Sequence, residues 1–408
     1  MKKALALLLC ICLLAACLVG CAAKAEQTPT QEQTPTQEQT ENTEASPTAE
    51  QNNDSTKNTI YFLTPTATHG WMGQLGAFAA KKVEQINAEG KYKAYHYTAD
   101  AGSIQNDQID EIIANGDAVG CIVCAFDDDA ASGEIALSEN DIPWISVSRI
   151  IDSTMAYALV NISGNNASCG ALCAAWLTQR GFEPGCTLVQ FTGSTNTDAT
   201  IRSNGFYDFL TGAQTVTMVD GSTIAITDVY DRAWTAEEVD ALKNGDDYFN
   251  YVCEWSNDVA KGYIESDLQT WVASAEKNGG KLFINSHDDE MTMALLESLE
   301  GNIFNDDLKA RFAALEVYCT AVGGMQELYN VMAGTDPVLS PVRDAYFDDL
   351  MSSVFNPSIV LEATDLLLDY LNDSANFRFQ TGAEYYPDSE YVDSSNAATA
   401  VGFTGRGS

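Results

Sequence analysis

Aromatic rings, arginines, carboxylates and histidines recur where the apolar runs of this chain end. After "TIYFL" come His69, Trp71 and Met72; after "GCIVCAF" come Asp127, Asp128 and Asp129; after "PWISV" come Ser148 and Arg149. A Ser/Thr/Asn loop after "TLVQFTG" leads to Arg202, "ITDVYD" carries Tyr230 and is followed by Arg232 and Trp234, and "KLFIN" by His287, Asp288, Asp289 and Glu290. Each residue alone has an ordinary explanation: a helix N-cap for an aspartate, core for a tryptophan, a surface ion pair for an arginine. Their coincidence of type and position points to a ligand. Three chemistries use such sets. Noncovalent capture of a small polar molecule needs all of them. A glycosidase needs two carboxyls about 5–10 Å apart across a bond, which "FDDDA" and "HDDE" offer. A Zn²⁺ or Ca²⁺ site would draw on His69, His287 and the aspartates, but no local spacing is specific to it. Neither G-x-S-x-G nor H-E-x-x-H occurs.

The elements that must hold these residues alternate. "TIYFL" precedes the helical-period stretch "GQLGAFAAKKVEQINAEG", "KAYHYTA" precedes "SIQNDQIDEIIANG", and "GCIVCAF" precedes "DAASGEIALSEND". "PWISVSR", "YALVNI" and the helix "NASCGALCAAWLTQRG" follow. The rhythm continues through "CTLVQFTG", "ATIRSNGFYDFLTG", a strand "AITDVYD", "LQTWVASAEKNG", "KLFIN" and "DDEMTMALLESLEG". This is βαβ alternation, predicting an α/β fold with parallel sheets covered on both faces and two such units in series. In open parallel sheets ligands sit beyond the carboxyl ends of the strands, which is where the chemical residues fall.

The N-terminus says where such a unit works. "MKKALALLLCICLLAACLVGC" has two lysines, an apolar run and small residues before a cysteine, the pattern of an export signal and short for a spanning helix. "LVGC" resembles the lipobox of bacterial lipoproteins, which implies lipidation of Cys21. Residues 22 to 57 hold no aromatics and repeat "TPTQEQ"; they read as a tether that cannot bury enough surface to fold. With 58 acidic against 21 basic residues, the formal charge of -37 excludes nucleic-acid binding. Of eleven cysteines, seven lie beyond Cys21. An odd number cannot all pair, and Cys121 and Cys124 sit three apart in a strand, on opposite faces, so buried free thiols are the expectation.

In this order the motifs become recognisable. From about Lys57 to Tyr385 the chain resembles the sugar-binding proteins of bacterial ABC transporters, of the ribose- and galactose-binding type. "IPWISVSR" (Ile142 to Arg149) is similar to that family's Ile-Pro-Val-Ile-x-x-Asp-Arg segment, "IRSNGFYDFL" to its Arg-x-x-Gly-Phe segment, and "VYDRAW" to the stretch that brings in an aromatic. "NSHDDEMTMALLESL" resembles its Asn-Asp-Glu-Met helix start, and "VNISGNNASCGALCAAWL" its first hinge crossing. The resemblance implies a type I periplasmic binding protein: two Rossmann-like lobes with parallel sheets, joined by a three-strand hinge, that close on a ligand. It implies that Arg149 and Arg202 donate to sugar hydroxyls, as planar forks suit vicinal hydroxyls. It implies that Trp71 stacks on a sugar face, with Trp234 or Tyr230 opposite. Asp288 falls where the family has asparagine or aspartate; Glu316 matches an aspartate and Asn356 a polar hinge residue more loosely. Two departures stand out. Ser148 replaces the usual aspartate before the arginine, and the segment from Asp228 to Lys281 carries an insertion, "EVDALKNGDDYFNYVCEWSND". His69 and His287 are extra; facing one cleft, they would make binding pH-sensitive near neutrality.

These readings combine into one expectation. Residues 1–20 are a signal peptide and 21–56 a lipidated cysteine with a disordered tether. Residues 57–161 and 357–384 form an N-terminal lobe, and 162–356 and 385–408 a C-terminal one. The expected ligand-binding set is His69, Trp71, Met72, Asp127, Asp128, Ser148, Arg149, Arg202, Tyr230, Trp234, His287, Asp288, Glu316 and Asn356. The expected function is capture of a sugar or similar small polar ligand and delivery to an ABC transporter permease, by a monomer anchored on the extracytoplasmic face of the membrane, without cofactor, metal or catalysis. A two-lobed sensor signalling to a membrane kinase and a carboxylate-dependent glycoside hydrolase are the alternatives.

Overall fold

The computed structural model describes residues 57–67, 70–195 and 197–405. Its elements run β1 (Thr59–Pro65), α1 (Gly70–Glu89), β2 (Lys93–Ala99), α2 (Gly102–Asn115), β3 (Ala118–Val123), α3 (Ala131–Glu139), β4 (Trp144–Val147) and β5 (Val160–Ile162). Then come α4 (Asn166–Gln179), β6 (Thr187–Thr192), α5 (Thr197–Leu210), β7 (Val216–Thr217), β8 (Thr223–Ile224), α6 (Ile226–Val229), α7 (Ala236–Lys243), β9 (Tyr248–Val252), α8 (Asn257–Lys277) and β10 (Lys281–Ser286). The rest are α9 (Asp289–Glu300), α10 (Asp306–Phe312), β11 (Glu316–Gly323), α11 (Gln326–Met332), α12 (Leu339–Tyr346), β12 (Asp349–Val354), α13 (Ile359–Asn372), β13 (Ala383–Tyr385) and β14 (Tyr391–Asp393).

Two six-stranded sheets result, ordered β13-β5-β4-β3-β1-β2 and β14-β12-β11-β10-β6-β9. All pairings in the first are parallel, and in the second only β14 runs against its neighbour β12. The strands β1 and β6 are buried at every position, as strands covered by helices on both faces must be. The chain passes from one sheet to the other after β5, after β12 and after β13. Helix α13 returns to the first sheet and packs on α1, β3 and β4. The architecture is therefore two α/β lobes with three crossings between them.

One element differs from expectation. "AITDVYD" is no strand. The Asp228 carboxylate accepts from the Ala225 N–H at 2.7 Å, and Ala225 O accepts from the Asp228 N–H at 3.0 Å, so the segment closes into the single turn α6. Local capping wins over β-branched composition. The edge strand of the second sheet is instead β9, "YFNYV", inside the presumed insertion.

All seven cysteines beyond the N-terminal segment are buried and unbridged. Burial pushes the Cys124 thiol up to about 12, so these groups are packing elements and poor nucleophiles. Another buried titratable group gives a test. Glu134 on α3 is fully buried; one oxygen accepts from Thr154 Oγ1 at 2.5 Å and the other has no partner among the described residues. Burial, partly offset by that hydrogen bond, raises its pKa to about 7. A carboxyl raised in the folded state destabilises the fold once ionised. Wild-type stability should therefore fall, relative to Glu134→Gln, as pH rises from the unfolded carboxyl range to about pH 8, by on the order of 3 kcal/mol. Urea unfolding of both proteins across that range measures it; parallel pH profiles would refute the assignment.

Candidate functional site

The carboxyl ends of both sheets face a cavity of about 540 Å³, the size range of small-ligand sites. The first lobe contributes Trp71, Met72, Phe126, Asp127, Ser148 and Arg149; the second contributes Asp198, Arg202, Glu254, Trp255, Asp288 and Gly323; Phe355, at a crossing, closes the back.

On the first lobe, buried Gln105 of α2 holds the loop after β3. It donates to Cys124 O at 2.9 Å and accepts from the Phe126 N–H at 2.6 Å. Asp127 then caps the following turn, accepting from the Asp129 N–H at 3.0 Å. After β4 the backbone turns at Ser148, whose φ of 66° lies in the left-handed region. Its carbonyl is fixed by Ser163 Oγ at 2.7 Å. A non-glycine residue held there costs about 1–3 kcal/mol, and the turn carries Arg149 to the cavity wall. Among the described residues no carboxylate lies within 4 Å of the Arg149 guanidinium, which leaves its fork for a ligand. Trp71 opens α1. Its Nε1 donates to Phe355 O at 2.6 Å and its ring lies 5.4 Å from the Phe355 ring, tying the first lobe to the hinge.

On the second lobe, Arg202 is buried and committed. Its Nε and Nη2 donate to Asn166 Oδ1 at 3.1 and 2.5 Å, and Nη1 donates to the His287 carbonyl. Its guanidinium lies 5.5 Å from the Trp255 ring centre and 5.0 Å from that of Phe355. Trp255 follows β9 on two successive left-handed residues, Glu254 and Trp255, with φ of 51° and 58°. Ser256 then caps α8, accepting from the Val259 N–H at 3.3 Å. A Cβ at Gly193 would fall inside the Trp255 ring, so that glycine is the ring's seat. Trp255 Nε1 donates to Ser194 Oγ at 3.3 Å.

The carboxyls are shifted by their surroundings. Burial raises Asp198 above the usual carboxylate range although Arg202 and Arg149 oppose it, and Asn166 Nδ2 donates to it at 3.0 Å. Burial and the neighbouring Asp289 push Asp288, the α9 N-cap, up to about 8. Asp289 itself is structural: it accepts from the N–H groups of Gly324 and Met325 and from Ser352 Oγ, each at 2.7 Å, and so pins the loop that ends in the cavity floor.

Of the expected site residues, the structure brings Trp71, Met72, Asp127, Ser148, Arg149, Arg202 and Asp288 to the cavity. Others lie elsewhere, for physical reasons. Asp128 is exposed on the short turn beyond Asp127. Trp234 is buried in the second lobe's core, 5.3 Å from Phe182, and Tyr230 packs at the edge of the same core, because α6 replaces the strand that would have aimed them. His287 is 1% exposed beneath the cavity. Its Nε2 meets Gln190 Nε2 at 3.2 Å, and burial with Arg202 holds it neutral well below the usual histidine range, which removes it as a switch near neutrality. Glu316 begins β11, at the amino edge of the parallel sheet, 3.3 Å from Lys281 Nζ. Asn356 faces a second cavity behind the hinge and accepts from the Ser358 N–H at 2.9 Å. His69 and Cys21 lie outside the described residues. Trp255, Asp198, Glu254 and Phe355 line the cavity without having been singled out. Among the described residues no three His, Cys, Asp or Glu side chains converge as a metal site.

A family model for the periplasmic binding protein domain matches residues 60–299. The chain belongs to this family. The match spans both walls of the cavity up to α9. Among solved structures, this periplasmic binding protein is similar to the periplasmic component of the arabinose ABC transporter of Shewanella sp. ANA-3, bound to arabinofuranose. Identity is 16%, TM-score 0.56, and coverage 83% of this chain and 93% of that one. A galactofuranose binding protein gives 16%, 0.55, 83% and 96%. The Caulobacter myo-inositol binding protein, bound to myo-inositol, gives 16%, 0.55, 85% and 96%. At such identity these structures establish the shared fold, two lobes of parallel sheet. Comparison with curated proteins gives no match.

Proposed function

We propose that this periplasmic binding protein is an extracytoplasmic solute-binding lipoprotein, anchored through Cys21, that captures a sugar or similar small polar ligand between its lobes and delivers it to an ABC transporter permease. The observation that carries the reading is the cavity between lobes, lined by Arg149 of one lobe and by Trp255, Asp198 and Asp288 of the other. A ligand touching both walls stabilises the closed form by its differential contacts. No bond is made or broken, so the cavity carboxyls serve as hydrogen-bonding partners; Asp288, pushed up to about 8, carries a proton at neutral pH and can donate. Membership of the family and a fold shared with proteins that bind arabinofuranose, galactofuranose and myo-inositol support the ligand class. The export signal, lipobox and tether support the anchor. We take the lobes as 57–161 with 357–384, and 162–356 with the remaining C-terminal residues.

Thermal unfolding with a panel of pentoses, hexoses and cyclitols tests this. A ligand at a hundred times its dissociation constant adds about 2.7 kcal/mol of stability, so at least one polyol should raise the melting temperature by several degrees. A flat response to every sugar and cyclitol would overturn the reading.

A further inference from the structure

Resting on the solute-binding reading above, we propose that the cleft selects a hydroxylated ring bearing a protonated amine, an amino sugar or aminocyclitol, over its neutral parent. A neutral polyol is served by balanced donors and acceptors. The walls here are not balanced. Asp198 and Asp288 stand inside the cavity and Glu254 and Asp258 at its edge, against Arg149 and Arg202. Arg202 cannot serve as a counter-ion at contact distance, because its donors go to Asn166 Oδ1 and the His287 carbonyl. Among the described residues no Lys or Arg nitrogen lies within 4 Å of any of these four carboxyls.

On an open surface such carboxylates would be solvated and would ask for nothing. Between two lobes that close, they lose water. Ionised groups without a partner are costly there: burial holds Asp198 above its ordinary range and pushes Asp288 up to about 8, so Asp288 keeps its proton at neutral pH until a cation beside it favours the ionised form and the proton is released. An ammonium entering the cavity supplies the absent positive charge. The partner chemistry also extends to the rings. Trp71, Trp255 and Phe355 line the same cavity, and ring faces attract cations; the placing of Arg202 near two of them shows that these faces already accept one. Arg149 remains to fork onto hydroxyls, which separates an amino sugar from a simple polyamine. The same electrostatics disfavour sugar phosphates and uronic acids.

Isothermal titration of the mature chain at neutral pH tests the proposal with matched probes: D-glucosamine against D-glucose, D-galactosamine against D-galactose, and an aminodeoxy-inositol against myo-inositol. At least one amine should bind tenfold or more tightly than its parent. N-acetyl-D-glucosamine, which keeps the nitrogen without the charge, should rank with the neutral set. The double variant Glu254→Gln/Asp258→Asn, altered at exposed positions, should narrow the amine's advantage several-fold. Neutral parents binding as tightly as their amines, or N-acetyl-D-glucosamine matching D-glucosamine, would overturn the amine proposal and leave the solute-binding reading standing. Binding of spermidine with no binding of any ring compound would overturn both.

Discussion

Arg149→Ala should lower affinity for the polyol found in the thermal screen about 10–100-fold, the loss of one or two charge-assisted hydrogen bonds. Its folding stability without ligand should stay within about 0.5 kcal/mol of wild type. The reason is that the guanidinium has no carboxylate at contact distance among the described residues and stands on a turn held by backbone bonds. Arg202→Ala should behave otherwise. That side chain is 4% exposed and satisfies Asn166 Oδ1 and the His287 carbonyl. Removing it strands two buried acceptors and should destabilise the protein by about 3 kcal/mol even without ligand. The two arginines match the same family role in sequence, yet only Arg149 isolates ligand binding from folding. Titration calorimetry with urea unfolding of both variants measures the split. Equal stability losses, or unchanged affinity in Arg149→Ala, would show that the cavity has been assigned to the wrong residues.

The fold was legible because its information is local and repeated. Each apolar run followed by a helical period marks one βα unit, and the regular alternation of short apolar runs with longer helical periods identifies strands buried on both faces. The strand-end rule then delivered Trp71, Asp127, Arg149, Arg202 and Asp288 to one cavity. It failed where one element was misread. "AITDVYD" has strand composition, but Asp228 reaches back to the Ala225 N–H and the segment curls. With it went Tyr230 and Trp234. The true edge strand "YFNYV" is richer in aromatic residues than its rival, and aromatic enrichment is a strand signal; it lies inside the segment that departs from the family pattern. Glu316 shows a different limit. Residue type matched the family, but a parallel sheet has a ligand end and an opposite end, and Glu316 sits at the latter. Burial was the third blind spot. His287 lies directly before Asp288, which lines the cavity, and is itself buried beneath it, because alternate positions along an extended chain face opposite ways.

Trp255→Ala should reduce affinity for the same polyol at least 30-fold, about 2 kcal/mol, as for an aromatic anchor at the centre of an interface. The ring is the second lobe's broad apolar surface in the cavity, and it is held at a cost: Glu254 and Trp255 both carry positive φ, a conformation worth about 1–2 kcal/mol per residue in strain. Strain of this kind at a cavity wall fits a ring presented for contact. Loss of affinity in Trp255→Ala alone would not separate the ring's contact from its position. Gly193→Ala does. The new methyl would occupy the volume of the Trp255 ring, so the ring must leave its seat while every ligand-facing atom is retained. If position is what matters, Gly193→Ala should lose most of the affinity that Trp255→Ala loses, and the double variant should lose little more than either alone, since both remove one interaction. Additive losses in that cycle, or wild-type affinity in Gly193→Ala, would mean that the ligand does not lie on this ring.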